Sequence, residues 1–470
     1  MTNRQNHRVV AALLAVVSLT IAACGTRLDH NQIVGAASVS GVAGSTEAGA
    51  GMPGDSAIAG ELTPGVTGES LPGAEGTAGA GSDPAAAARQ PGTAGGQGSA
   101  RTPSGGGSGG GPIVIGSVGS YSGATGTAWA SGARALQAWA ASINEQGGIN
   151  GRQVKVIVYD DGSDPAKARS QVQELVEQHN AVAIVAAITT AQTLKAWRGY
   201  VEQKRVPVIG GDCGPAWTAS PVLFRQCTTS KDNLVGFAEL AAKFGKSKDF
   251  GALFCQEDEG CSFAEQVLFN DGAAERAGLN PRYRARISIT QPDFTSECIQ
   301  ARNNGVELLF VAADPNTVGR VADSCRRQNY HPQFAQIDGT VNAATASKPG
   351  LEDVLMVSRV FPFTGISSPA FHEFESAWEK YGSGQPAGPA TAMGWAAATI
   401  FEQVAKDVGG DIGREQLLRQ LYRIKNQTFG GLTVPLSFGS NGTTAAKCLF
   451  IMQGERGRWT APQGDKPQCF

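Results

Sequence analysis

From Ile113 onward the chain alternates between short apolar runs and longer stretches of helical periodicity. "IVIGSV", "QVKVIVYDD", "AVAIVAA" and "VPVIGG" have strand length, are rich in β-branched residues, and end at glycine or aspartate or run on in small residues. Between them lie helical patterns near 130–146, which stops at "QGG", over "DPAKARSQVQELVEQH", with Asp164 as cap and Pro165 in the first turn, and over 190–204. The alternation restarts after Thr229: helix 231–245, strand "FGALF", helix near 262–278, strand "RYRARISI", helix near 293–303, strand "VELLFVAA", helix near 315–329 and strand "FAQI". A strand "VLMVSRV", three helices to about 424 and strands near 432–437 and 447–453 follow. Strands joined through helices must lie parallel, and the helices cover both sheet faces, so the strands are apolar throughout instead of alternating. Two successive blocks predict two α/β lobes, and about 360 residues suffice for two cores.

Ligands of open α/β sheets bind outside the carboxyl ends of the strands. The residues there are Tyr121-Ser122-Gly123, Thr189-Thr190, Asp212-Cys213-Gly214, "CQEDEGC" at 255–261, Asp314 and Asp338. They are hydroxyls, glycines and acids. Gly119-Ser120-Tyr121-Ser122-Gly123 puts tyrosine at the centre of what would otherwise be a nucleophile elbow, and no phosphate-loop motif occurs. His179, His331 and His372, the histidines of this part, form no constellation with a nucleophile, so no catalytic site, cofactor or metal is expected. A net charge of −2 gives no electrostatic case for nucleic acid.

Before Ile113 the sequence has another character. Arg4 and Arg8 precede an uncharged run, Val9 to Ala23, of roughly fifteen residues, too short for a membrane span of ~20. It reads as an export signal over 1–24, and Ile21-Ala22-Ala23-Cys24 resembles the bacterial lipobox, in which the cysteine is lipidated. Residues 25–112 are dominated by small residues and proline without period, a composition that cannot offset ordering entropy. A linker of this kind reaches roughly 50 Å. Eight cysteines remain beyond Cys24, an even number in an exported chain, which favours disulfides. Many pairings are formally possible; local ones are expected, Cys213–Cys227, Cys255–Cys261, Cys298–Cys325 and Cys448–Cys469. A zinc site is the alternative, though no CxxC pair is present.

"IVIGSVGSYSGATG", "SINEQGGINGRQVKVIVYDDGSDPAKA" and the doubled β/α pattern resemble the type I periplasmic-binding-protein fold, and within it the branched-chain amino acid (leucine/isoleucine/valine) binding proteins of ABC importers. The likeness spans roughly 113–453 and is most specific in its first hundred residues. Asp160 and Asp161, at the end of one strand, read mainly as turn and cap residues. The resemblance implies two lobes, each a mainly parallel sheet flanked by helices, joined by three hinge crossings. Carried onto this chain, lobe 1 is 113–230 with 362–428 and lobe 2 is 231–361 with 429–470.

The resemblance also implies site roles. A solute carboxylate would meet Thr190, with Thr189 and Thr193 nearby, and the backbone at Gly214; Asp338 matches the acid that holds an ammonium group. Ser122 is retained after the first strand, and Trp129 could wall the pocket. Tyrosines of the family's second lobe are replaced, the nearest matches being Gly260 and Asp314, and Gly162-Ser163 stand where an early disulfide is expected. If Asp212, Asp314, Asp338 and the acids of 257–259 face the cleft, they favour a zwitterionic or cationic solute. The expectation is a non-enzymatic, monomeric lipoprotein on the outer face of the cell membrane, passing an amino-acid-like polar solute to an ABC permease. A ligand-sensing receptor of the same fold and a structural lipoprotein that binds nothing are the alternatives.

Overall fold

The structure, a computed structural model, describes residues 110–470. The signal segment, Cys24 and all but the last three residues of the 25–112 linker lie outside the described residues.

In the first lobe β1 (Ile113–Gly119), β2 (Val154–Asp160), β3 (Ala183–Ala187), β4 (Val208–Gly211) and β5 (Leu223–Phe224) form a wholly parallel sheet in the order β2-β1-β3-β4-β5. The connections are α1 (Gly123–Glu145), α2 (Pro165–Glu177) and α3 (Ala191–Lys204). β3 is buried at every position, as a central strand covered on both faces must be. Asp164 caps α2 by accepting from the Ala166 and Lys167 amides at 2.8 and 3.1 Å, with Pro165 at the first helical position.

The chain crosses at 225–229 into the second lobe. There α4 (Ser230–Phe244), β6 (Asp249–Cys255), α5 (Glu259–Glu265), a π-turn at Gln266–Asn270, α6 (Ala273–Arg276), β7 (Asn280–Ile287), α7 (Thr295–Asn303), β8 (Leu308–Ala312), α8 (Pro315–Arg327), β9 (Gln333–Ile337) and β10 (Leu355–Ser358) follow. A second crossing, 359–368, returns it to α9 (Pro369–Tyr381), α10 (Pro389–Val408) and α11 (Arg414–Leu421) of the first lobe. A hairpin of β11 (Leu436–Gly439) and β12 (Gly442–Ala445) precedes β13 (Cys448–Glu455), β14 (Arg458–Thr460) and β15 (Gln468–Cys469). The second sheet runs β14-β13-β10-β9-β8-β6-β7, with β15 on β13; β6 to β10 are parallel, and β13, β14 and β15 pair antiparallel.

Three differences from the sequence reading have physical causes. The hairpin, assigned to lobe 2 by the boundary at 429, packs on β5: the Arg225 amide donates to Thr443 Oγ1 at 2.7 Å, and the Phe224 and Phe438 rings lie 5.3 Å apart. The third crossing therefore follows Ala445. The single helix expected near 262–278 is broken by the π-turn and by Gly272 at φ +69°. The edge strand β7 alternates exposed Arg282, Arg284 and Arg286 with half-buried neighbours, charge that protects an open sheet edge.

α1 and α10 approach so closely that a Cβ on Gly394 would lie 2.1 Å from the Gly132 carbonyl oxygen. Only glycine at this contact lets the two helices stack across the first sheet.

The sulfurs pair as Cys213–Cys227, Cys255–Cys261, Cys298–Cys325 and Cys448–Cys469, consistent with local bridging. The third joins α7 to α8 across 27 residues of chain. Replacing both Cys298 and Cys325 by alanine should cost about 2–4 kcal/mol, from the constraint lost in the unfolded chain. Urea unfolding of the oxidised proteins checks this; a change below about 1 kcal/mol would contradict it.

Candidate ligand-binding cleft

The two sheets turn their carboxyl ends toward a common cleft of about 1100 Å³, counting the space open to solvent. The first lobe contributes Thr125, Trp129, Thr189, Thr190, Asp212 and Gly214; the second contributes Ser230, Asn233, Glu257, Asp258, Asp314 and Thr340, and Arg359 enters from the second crossing. Between these polar groups the wall is apolar: Ala124, Ala128, Ala191 and Pro215 on one side, Leu234, Ala264, Ile289, Phe310, Ala312, Ala313 and Ile337 on the other.

The floor of the first lobe is a fixed polar network. Asp161, fully buried, accepts from Ser120 Oγ, the Ser163 amide and Thr189 Oγ1, each at 2.7 Å. Asp160 accepts from the Tyr121 and Gly162 amides, both at 2.9 Å. These acids tie the ends of β1, β2 and β3 together. Thr190 caps α3, its hydroxyl accepting from the Thr193 amide at 3.4 Å and lying 3.1 Å from Thr193 Oγ1. Thr190 and Ala191 line the cleft, so the positive end of a fourteen-residue helix opens into it.

The second polar centre is an ion pair at the crossing. Arg359 directs Nε at 2.9 Å and Nη2 at 2.6 Å to Asp338 Oδ1, and its amide donates to Oδ2 at 2.6 Å. Nη1 donates to the carbonyl oxygen of Asp212 at 2.5 Å. Asp338 belongs to the second lobe and Asp212 to the first, so one guanidinium joins both lobes to the hinge. Burial works against the Arg359 charge, but Asp338 outweighs it and holds the pKa above its ordinary value. The Asp212 carboxylate accepts from Trp217 Nε1 at 2.8 Å and the Gly214 amide at 2.7 Å. Burial raises its pKa from 3.8 to about 6, against the opposing pull of Trp217, Arg359 and Gly214.

The sequence-derived site residues therefore separate. Trp129, Thr189, Thr190, Asp212, Gly214 and Asp314 line the cleft. The Thr189 hydroxyl, however, is committed to Asp161, and Asp314 caps α8 through the Asn316 and Thr317 amides. Tyr121 is not in the lining: its phenol lies 2.8 Å from Ser117 Oγ and donates to the Ala186 carbonyl at 3.0 Å, inside the lobe, where burial raises its pKa. Ser122 is exposed at the start of α1, also outside the lining. Asp338 is a correction. It is fully buried by its side chain and saturated by Arg359, so its carboxylate is not free to hold a solute ammonium.

Glu257 and Asp258 line the cleft; Glu259 does not, and pairs with Lys195 at 2.6 Å. Asp258 accepts from the Gly260 amide at 2.6 Å, and Glu257 accepts from Ser288 Oγ and the Ile289 amide. These donors orient the carboxylates without cancelling their charge, so the lining is acidic. Sequence reasoning missed Arg359, which directly follows β10 and was within reach of the strand-end rule. It also missed Asn233, which sits one turn into a helix, where that rule does not look.

Among the described residues no group of histidine, cysteine and acid side chains could hold a metal, and no helix is long and apolar enough to cross a membrane.

A solute-sized cleft between two α/β lobes that share three crossings defines a hinged, two-lobed binding protein. The family model described as periplasmic binding protein matches residues 112–458, and the chain belongs to that family, one of extracytoplasmic binding proteins and not of enzymes. Two curated relatives come from Pseudomonas aeruginosa. One, named as an amino acid binding protein, is 23% identical over 51% of this chain and 63% of its own length. The other, named as a leucine-, isoleucine-, valine-, threonine- and alanine-binding protein, is 22% identical over 44% of this chain and 55% of its own. The chain thus spans less than two thirds of either relative. Among solved structures, a fatty acid ABC transporter substrate-binding protein from Thermomonospora curvata superposes with a TM-score of 0.63 at 21% identity, covering 74% of this chain and 90% of that one. A possible leucine/isoleucine/valine-binding protein from Rhodopirellula baltica gives 0.62 at 16% identity, covering 76% and 96%. These likenesses show the fold.

Asp212 gives a test of the electrostatics. Its proton is bound more tightly in the folded chain than in the unfolded one, so its ionisation lowers stability as pH rises from about 4 to about 6, with no further effect above. Asp212→Asn removes this titration. The stability of the variant relative to wild type should grow across that window, by roughly 3 kcal/mol at most for a shift of this size, and then stay level. Urea unfolding at pH 4, 5, 6 and 7 reads it; a flat difference would contradict a desolvated Asp212.

Proposed function

We propose that this chain is an extracytoplasmic solute-binding lipoprotein of an ABC importer, which closes its two lobes on a small solute and presents it to a membrane permease. The observation that carries the reading is the cleft itself, lined from both lobes at the carboxyl ends of two parallel sheets, with the hinge crossings beside it. The named relatives suggest the solute class. Amino acids and fatty acids have in common an acid group on an apolar body. The cleft has a counterpart for each part: the Thr190 end of α3 for the acid, and the Trp129, Leu234, Ile289, Phe310 and Ile337 walls for the body. Lipidation at Cys24 and the linker to residue 112 would hold the folded part near its permease.

A thermal-shift screen of the oxidised chain against amino acids, hydroxy acids, amides, polyamines, sugars and short carboxylates tests the binding. A solute at a hundred times its Kd stabilises by ~2.7 kcal/mol, and X-ray scattering should show the bound form more compact. Thr190→Val should weaken a carboxylate hit about tenfold or more, the worth of one hydrogen bond to a charged group. Silence across the screen would contradict solute binding. A Cys24→Ser chain that stays in the membrane fraction would contradict the lipid anchor.

A further inference from the structure

Two separate observations bear on what the solute presents to the second lobe. The first concerns cations. Asp338 is paired with Arg359. Asp212, Asp258 and Asp314 hold donors of their own turns, and Glu257 holds Ser288 Oγ and the Ile289 amide. These donors are neutral and do not cancel a carboxylate's charge, so the lining stays acidic and does not select against an ammonium.

The second concerns Asn233. It lines the cleft on α4, is only 2% exposed, and its Oδ1 has no hydrogen-bond partner among the described residues. It has no part in capping α4, because Thr229 does that by accepting from the Asp232 amide at 3.0 Å. Ser230, three residues earlier and so on the same helix face, also lines the cleft. Leu234, beside Asn233 on α4, is apolar, as are Ile289, Phe310 and Ile337 of the same lobe. A buried amide oxygen without a donor is unfavourable, and a solute bound in the cleft can supply one.

We infer that Asn233 is a specificity-determining contact to the solute, and that the solute meets its amide oxygen with a hydrogen-bond donor. This inference rests on the reading of the cleft as a solute site.

The test uses the full chain with its disulfides intact and three probes on one skeleton: leucine, the hydroxy acid in which hydroxyl replaces its ammonium, and the plain acid lacking both. The same three forms of phenylalanine cover a larger body. Isothermal titration should find the two donor-bearing forms, hydroxy acid and amino acid, each bound about tenfold tighter than the plain acid. Asn233→Leu should lower hydroxy-acid affinity about tenfold, to the level of the plain acid, while leaving the plain acid within about twofold. Its melting temperature should not fall, since no unpaired amide remains. Asn233→Asp adds a negative charge at this contact and should shift preference toward the amino acid over the hydroxy acid. Plain acids binding as tightly as both donor-bearing forms would overturn the inference and leave the binding-protein reading standing. So would an Asn233→Leu that weakens all three probes alike. Failure of all six probes to bind would overturn both.

Discussion

The cleft depends on one buried guanidinium. Arg359 leaves β10 at the second crossing and takes hold of Asp338 through Nε and Nη2 and of the Asp212 carbonyl through Nη1. Isolated in the protein interior, either charge of the pair would be strongly disfavoured; together, with backbone donors and acceptors completing the set, they are stable. The pair also fixes geometry. It anchors the end of the second sheet to the hinge and the hinge to the loop after β4, the loop that the Cys213–Cys227 disulfide ties to the first crossing. The three lobe-joining elements thus include two that are bound to the same short segment, 211–214.

This arrangement decides what the cleft offers a ligand. With Asp338 paired from within, the charged features left to a ligand are the carboxylates of Asp212, Glu257, Asp258 and Asp314, each oriented by neutral donors, and the positive end of α3 at Thr190. The apolar walls supply the bulk of any binding free energy through buried area, at ~25 cal/mol per Å². Polar groups then set orientation and discrimination. A cleft assembled from two lobes binds strongly only when both close on the ligand, which couples occupancy to shape and gives a membrane partner something to recognise.

Much of the fold was legible in the sequence because α/β architecture is written in simple repetition. Apolar runs of strand length, Asp164-Pro165 at a helix start and glycines at helix ends place most elements. The doubled pattern gives two lobes. What was not legible depends on contacts between distant segments. The segment 436–445 falls to the second lobe by the boundary at 429, with a strand expected only near 432–437, until Thr443 is seen to receive the Arg225 amide. The site was legible in part for the same reason. Thr190, Gly214 and Trp129 follow from strand ends and helix starts. Asp338 follows from the same rule and fails, since a carboxylate in sequence carries no mark of the arginine that saturates it 21 residues later. Asn233 lies outside any strand-end rule, and only its burial without a partner distinguishes it from a solvated helix residue.

The central claim is that Asp338 is spent on Arg359 and not held open for a ligand. A double-mutant cycle in the ligand-free chain measures this directly, with Asp338→Asn, Arg359→Met and the pair together, each unfolded in urea. Each single change should cost about 3–5 kcal/mol, because it leaves the other charge buried and unpaired, and the double change should cost clearly less than the two summed. Single costs below about 1 kcal/mol that simply add would show the two side chains to be independent, and Asp338 would again be available to a cationic solute.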